Sequence, residues 1–212
     1  MEPLVQFLRA HTDWKLAVPT LPGHGKDASL KGIAYKEWLE SAEQELEALI
    51  SQCEHVYLIG FSMGGMIACH LAAYYPVHKI VLLSAAAKFI NIRQMARDFR
   101  DLLSDARHGG LSDNELFRRY QDKVLKTPLS AAWQFRLLVS GRRNILKDVR
   151  IPAFIAQGTS DGIVPLKSAE YIYKNLASQD KQLYMVEGAK HLICYCDARE
   201  ELFSAIHSFL EN

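Results

Sequence analysis

Cysteine is scarce in this chain. Four cysteines in 212 residues, at positions 53, 69, 194 and 196, are too few and too irregularly spaced for a disulfide framework. A chain of this length with 49% apolar residues needs no such framework, because it can bury one substantial core. The cysteines read as reduced thiols, and the expected compartment is the cytoplasm. Charge of one sign is scarce as well: 25 basic residues stand against 24 acidic ones, a formal net charge of +1. No global field therefore attracts nucleic acid or an anionic membrane, and the substrate is expected to be small and not selected by bulk charge. No apolar run reaches the roughly 18 residues of a membrane-spanning helix, and no export leader opens the chain, so integral membrane association is not expected. Internal repeats and low-complexity tracts are absent too.

What is present is an alternation of helical and strand patterns. Residues 2–10 carry Leu4, Val5 and Leu8 at helical spacing, and residues 14–20 then alternate as a strand would before the breaker-rich Leu21-Pro22-Gly23-His24-Gly25. Residues 35–51 set Trp38, Leu39, Leu46, Leu49 and Ile50 among glutamates, an amphipathic helix. Short apolar strands are expected at 56–59, 79–83, 151–157 and 182–186, with helices at 66–75 and 199–210. Strands alternating with helices predict a mostly parallel sheet flanked by helices, the α/β class. Between the strands at 79–83 and 151–157 the rhythm breaks, with helical patterns near 91–106, 113–126 and 129–140. The expected organisation is a single domain, 1–212, in which residues 88–148 form an inserted helical cap.

Gly60-Phe61-Ser62-Met63-Gly64-Gly65 joins an apolar strand directly to an alanine-rich apolar stretch. A nucleophile on such a tight strand-to-helix turn needs neighbours without side chains, and the turn holds its hydroxyl clear of the sheet. At the start of the following helix, backbone N–H groups and the positive dipole end are available to a developing oxyanion, and Met63 N–H is the expected first donor. A serine hydroxyl is a weak nucleophile at neutral pH, so it requires a base and a group that orients the base. Both are expected later in the chain, each in a loop after a strand: Asp161 within Gly158-Thr159-Ser160-Asp161-Gly162-Ile163-Val164-Pro165, and His191 at the end of Gly188-Ala189-Lys190-His191.

These three segments resemble those of α/β-hydrolases of the carboxylesterase and monoacylglycerol-lipase type, and Leu21 to Gly25 is similar to the loop that such enzymes carry after their fourth strand. The resemblance implies hydrolysis of carboxylic esters, of short to medium acyl groups or monoacylglycerols, through an acyl-enzyme on Ser62. It implies no metal and no organic cofactor. Relatives also have an upstream hairpin and a third strand whose following loop gives the second oxyanion hydrogen bond. The N-terminal strands of that usual fold are expected to be missing here, and the second donor is unassigned. Strand 14–20 must then pair with 56–60, borrow a strand from another chain, or leave backbone groups unsatisfied. Self-association through an exposed sheet edge is accordingly one expected partner mode. In a well-studied protease the loss of one oxyanion donor costs ~10²–10³ in rate. A catalytically weak hydrolase fold used for ligand binding or assembly is therefore an alternative, and amide or peptide hydrolysis is a further one.

Other features carry less. Phe61, Trp133 and Phe135 are candidates for an acyl-binding wall, although ordinary packing within the cap explains the last two equally well. Cys194-Tyr195-Cys196 near His191 lacks a second ligand pair at zinc spacing and reads as structural. His24 lies among residues that report a turn, and Arg93, Arg97, Arg100, Arg142 and Arg143 read as solvated helix faces.

Overall fold

The computed structural model describes residues 1–25, 28–87 and 128–212. Its centre is a four-stranded, all-parallel sheet in the order β1 (Tyr57–Phe61), β2 (Lys79–Leu83), β3 (Ala153–Gly158), β4 (Lys181–Val186). Each neighbouring pair is parallel, and Gly60 faces Leu82 while Leu82 faces Ile155. The two inner strands are nearly continuous apolar runs and are buried almost throughout, as strands covered on both faces must be.

Six helices surround the sheet among the described residues: α1 (Glu2–His11), α2 (Tyr35–Ile50), α3 (Met63–Tyr74), α4 (Leu129–Arg142), α5 (Leu166–Asn175) and α6 (Arg199–Glu211). On one face α2, α3 and α5 pack a core around Trp38, Met66, Ile80 and Ile155. On the other, α1 and α6 cover Val81, Phe154 and Ala156 with Leu4, Leu8, Phe203 and Ile206. The amphipathic α2 begins where the Glu37 carboxylate accepts the Ala34 N–H at 2.8 Å, which satisfies one orphan donor of its first turn. The apolar α3 is buried from Gly65 to Ala72, in keeping with its lack of a polar face. Lys79, at the start of β2, donates to the last carbonyls of α6, Phe209 O at 2.9 Å and Leu210 O at 3.0 Å, a cation placed at a helix C-terminus.

Several expectations need revision. Residues 14–20 form no strand, and among the described residues no strand pairs with the outer edge of β1. The segment is held instead by side chains: Trp14 stands edge-on to Tyr57, ring centroids 5.6 Å apart, and Pro19 offers no N–H to a ladder. Alternation therefore reports one half-buried face here without a hydrogen-bonded partner. Helix α5, between the Asp161 loop and β4, went unread because the segment is short and follows Pro165. The helices expected near 91–106 and 113–126, and most of the expected cap, lie outside the described residues. The pattern near 129–140 is α4, followed by a 3₁₀ turn, Arg143–Asp148. Among the described residues no helix is long and apolar enough to cross a membrane.

Candidate active site

Ser62 links the end of β1 to the start of α3 with φ 52° and ψ −116°, a left-handed conformation that a non-glycine residue adopts only under constraint. The surroundings supply that constraint. Ser62 N–H donates to Leu83 O at 2.9 Å, and Ser62 O accepts from Gly65 N at 3.1 Å and from Ala86 N at 3.2 Å. A Cβ on Gly60 would meet Gly64 O at 2.5 Å, and one on Gly65 would meet the Ala85 Cβ at 2.5 Å. Gly64 is different, since a Cβ there would meet nothing within 4 Å. Close packing thus fixes Gly60 and Gly65, and the glycine two residues after the serine is not the sterically required one.

The loop after β3 carries Asp161 and the loop after β4 carries His191, and close main-chain contacts join the two loops. Ser160 N–H donates to Ala189 O at 3.0 Å, and Gly188 N–H donates to the Thr159 hydroxyl at 2.8 Å. Gly158 is needed where they cross, because a Cβ there would lie 2.2 Å from Ala189 O. The result is a relay of three side chains. His191 Nε2 is 3.1 Å from Ser62 Oγ, and His191 Nδ1 is 2.8 Å from Asp161 Oδ2. The Phe61 ring leans on the imidazole with centroids 5.0 Å apart, and the imidazole is buried.

Asp161 is held by more than the imidazole. Its Oδ1 accepts the N–H groups of Ile163 at 2.9 Å and Val164 at 2.8 Å, and its Oδ2 accepts from Gln157 Nε2 at 2.9 Å. With all four acceptor positions used, the carboxylate cannot rotate away from the histidine. Gln157, wholly buried, also donates to Val164 O at 3.0 Å and so ties the loop to the strand that precedes it. Sequence reasoning missed Gln157. Its one signal is a polar residue in an apolar strand four positions before the aspartate. Ser168, at the start of α5, supports the opposite side, donating to Ala85 O at 2.8 Å and accepting from Ala87 N at 2.9 Å.

A cavity of about 590 Å³ opens beside Ser62 and His191. Phe61, Met63 and Phe135 are on its wall, as are Ile163 and Val164. Trp133 is not: it is 54% exposed and stacks with the Arg136 guanidinium 5.7 Å from its ring. His24 reaches the wall but is turned to its own loop, with Nδ1 3.1 Å from Pro22 O. Met63 N–H stands at the first position of α3, where the helix itself supplies no acceptor. Among the described residues no group of three or more His, Cys, Asp or Glu side chains could hold a metal ion, and all four cysteines are free. Burial raises the Cys69 thiol to about 12 and the Cys194 thiol to about 11, so neither is a ready nucleophile.

Comparison with known proteins places this arrangement in a family. The sequence pattern of the Hydrolase_4 family, described as serine aminopeptidase, S33, matches residues 4–196. The chain is 24% identical over 201 residues to a thermostable monoacylglycerol lipase of Bacillus sp. strain H-257, covering 91% of this chain and 77% of the relative. It is 25% identical over 199 residues to a carboxylesterase of Bacillus subtilis, covering 92% and 80%. Among solved structures, one described for the metagenome-derived lipolytic enzymes LipS and LipT superposes with a TM-score of 0.77 at 21% identity over 99% of this chain and 88% of the other. The monoacylglycerol lipase of Paleococcus ferrophilus superposes with a TM-score of 0.68 at 21% identity over 98% and 86%. With its parallel sheet, its serine turn and a matched span running from α1 past His191, the chain belongs to the Hydrolase_4 family of α/β-hydrolases.

Proposed function

We propose that this chain cleaves carboxylic esters through an acyl-enzyme on Ser62, with His191 as base and Asp161 as the group that orients it. The observation that carries the reading is the relay of 3.1 Å and 2.8 Å from Ser62 Oγ through the imidazole to Asp161. As Oγ attacks the ester carbonyl, its proton passes to His191 Nε2. The Nδ1 proton stays hydrogen-bonded to Asp161, which stabilises the imidazolium. The carbonyl oxygen becomes an oxyanion facing the Met63 N–H, a dipole already in place before charge develops. Collapse of the tetrahedral intermediate expels the alcohol, which takes the proton from Nε2. Water then repeats the sequence on the acyl group, and no cofactor takes part.

Esters are favoured over peptides by the wall of the cavity. An aminopeptidase must hold a free ammonium group near its nucleophile, yet the acidic side chain on the wall, among the described residues, is Glu45 on α2. Phe61, Met63, Phe135, Ile163 and Val164 suit an apolar acyl group instead. The names of the two Bacillus relatives, a monoacylglycerol lipase and a carboxylesterase, point the same way. Small-molecule esters of short to medium acyl chains, monoacylglycerols among them, are the substrate class. Residues 128–148, with Phe135 of α4 reaching the wall, belong to the cap expected at 88–148, the rest of which lies outside the described residues, and the enzyme is a single domain that works in the cytoplasm.

The test is hydrolysis of a short-chain p-nitrophenyl ester by the chain and by Ser62→Ala. The wild-type chain turns over ester, and the variant loses at least about a thousandfold in kcat. A fluorophosphonate reagent labels Ser62 covalently and leaves the variant unlabelled. Hydrolysis that persists in Ser62→Ala overturns the reading.

A further inference from the structure

Among the described residues two that are not glycine take a left-handed backbone, Ser62 with φ 52° and Ser84 with φ 45°. Such conformations persist only where the surroundings over-determine them. The two positions are neighbours in space. They follow β1 and β2, which pair with each other, and Ser62 N–H donates to Leu83 O at 2.9 Å, directly before Ser84. What holds residues 84–87 therefore also holds Ser62, whose carbonyl oxygen accepts the Ala86 N–H at 3.2 Å.

Ser84 does not secure this segment by its own side chain. Its hydroxyl is buried and has no hydrogen-bond partner among the described residues. Its N–H is fixed to Ala156 O at 2.9 Å, which anchors only the first residue. The rest hangs on Ser168. This wholly buried side chain on α5 donates to Ala85 O at 2.8 Å and accepts from Ala87 N–H at 2.9 Å. Ala85 O and Ala86 N–H belong to one planar trans peptide, in which the two groups point in opposite directions. Ser168 on one side and Ser62 O on the other thus grip the same rigid plate. Ser168 is also tied to the other half of the site. Its N–H donates to Pro165 O at 2.7 Å, and Val164, beside that proline, donates its N–H to Asp161 Oδ1 at 2.8 Å. Segment 161–168 therefore reaches the base through Asp161 and the nucleophile through Ser168.

We infer that Ser168 is a positioning residue, which sets the place of the Ser62 turn relative to His191 through the Ala85–Ala86 peptide. This role rests on the ester reading, since only with Ser62 as nucleophile does that separation govern a rate. Without the hydroxyl, Ala85 O and Ala87 N–H lose that partner inside the core. The peptide turns, and Ser62 loses one of the three main-chain bonds that hold it, those to Leu83, Gly65 and Ala86. Ser168 is not on the wall of the cavity, so substrate binding is untouched and the loss falls on kcat.

The test is Ser168→Ala in the full 212-residue chain, assayed on a short-chain p-nitrophenyl ester at a temperature where every variant is folded by circular dichroism. Its kcat falls at least about tenfold while KM stays within about twofold. Two further variants separate positioning from stability. Ser84→Ala deletes from the same segment a hydroxyl that bonds nothing, and keeps kcat within about twofold. Ile172→Ala, at a wholly buried position on the same helix, lowers Tm at least as far as Ser168→Ala does and keeps kcat as well. The crystal structure of Ser168→Ala gives a readout that needs no substrate: Ala86 N parts from Ser62 O, and Ser62 Oγ leaves hydrogen-bond reach of His191 Nε2. An unchanged kcat, a rise in KM in place of the fall in kcat, an equal loss in Ser84→Ala or Ile172→Ala, or an unmoved Ser62 overturns the inference. A wild-type chain that cleaves no ester, beside a Ser62 that moves in the variant, overturns the ester reading and leaves the hold of Ser168 on the turn standing.

Discussion

At the scale of single residues, the candidate site depends on how firmly Asp161 is held. Four hydrogen bonds from three directions reach its two oxygens, and the imidazole supplies only one of them. Replacing Asp161 by Asn keeps the shape but presents an N–H to Nδ1 and favours the wrong tautomer, so kcat for the p-nitrophenyl ester falls by about 10⁴. Gln157→Leu removes one donor to the carboxylate and leaves Val164 O unpaired. Its loss is smaller, about tenfold in kcat with KM unchanged, because Gln157 positions Asp161 and does not touch the substrate. An equal rise in KM would reassign Gln157 to the general stability of the loop. Serine, aspartate and histidine were legible in the sequence because each follows an apolar strand within a glycine-containing turn. Gln157 was not, because the direction of a side chain inside a strand is set by neighbours distant in sequence.

At the scale of elements, the turn between β1 and α3 separates two glycines that look alike on paper. Gly65→Ala drives a methyl group into Ala85, whose main chain is itself tied to Ser168, so neither side can yield. Overpacking of this kind costs about 1–3 kcal/mol, and in a chain of this length each kcal/mol lowers Tm by about 2–4 °C. Gly64→Ala meets open space and leaves Tm within about 1 °C of wild type, as thermal denaturation followed by circular dichroism would show. The strong periodicity of α1, α2 and α6 made them readable to within a residue or two, and the apolar runs did the same for the four strands. Segment 14–20 deceived because its alternation is real while its partner is absent among the described residues. A strand exists only as a member of a pair, and one element of sequence cannot report that.

At the scale of the whole molecule, the two buried thiols link stability to alkali. Burial raises Cys69 to about 12 and Cys194 to about 11 in the folded chain, above their ordinary value near 9. A pKa raised by folding means that the unfolded chain loses its proton first. The stabilisation is complete below pH 9 and disappears as pH rises through 11 to 12. Urea midpoints are therefore expected to fall between pH 9 and 11, and less steeply in Cys69→Ala than in wild type once the variant's own cavity cost is subtracted. The parallel sheet, its helical layers and the order of the site residues along the chain were all open to reading from sequence. Which of the expected outcomes held at the outer edge of β1 was not, because pairing is a property of the assembled molecule.

The relay also sets an order of events in time. Ser62 and His191 are 129 residues apart along the chain, and the bond between them forms only after β1, β2, β3 and β4 have found their places side by side. Parallel pairings close long loops before any contact compensates for the lost chain entropy, so they are slow steps. On dilution from denaturant, helical ellipticity should return first and esterase activity last. The candidate site is thus a clock for the fold: the rate at which activity recovers measures when the last strand has docked.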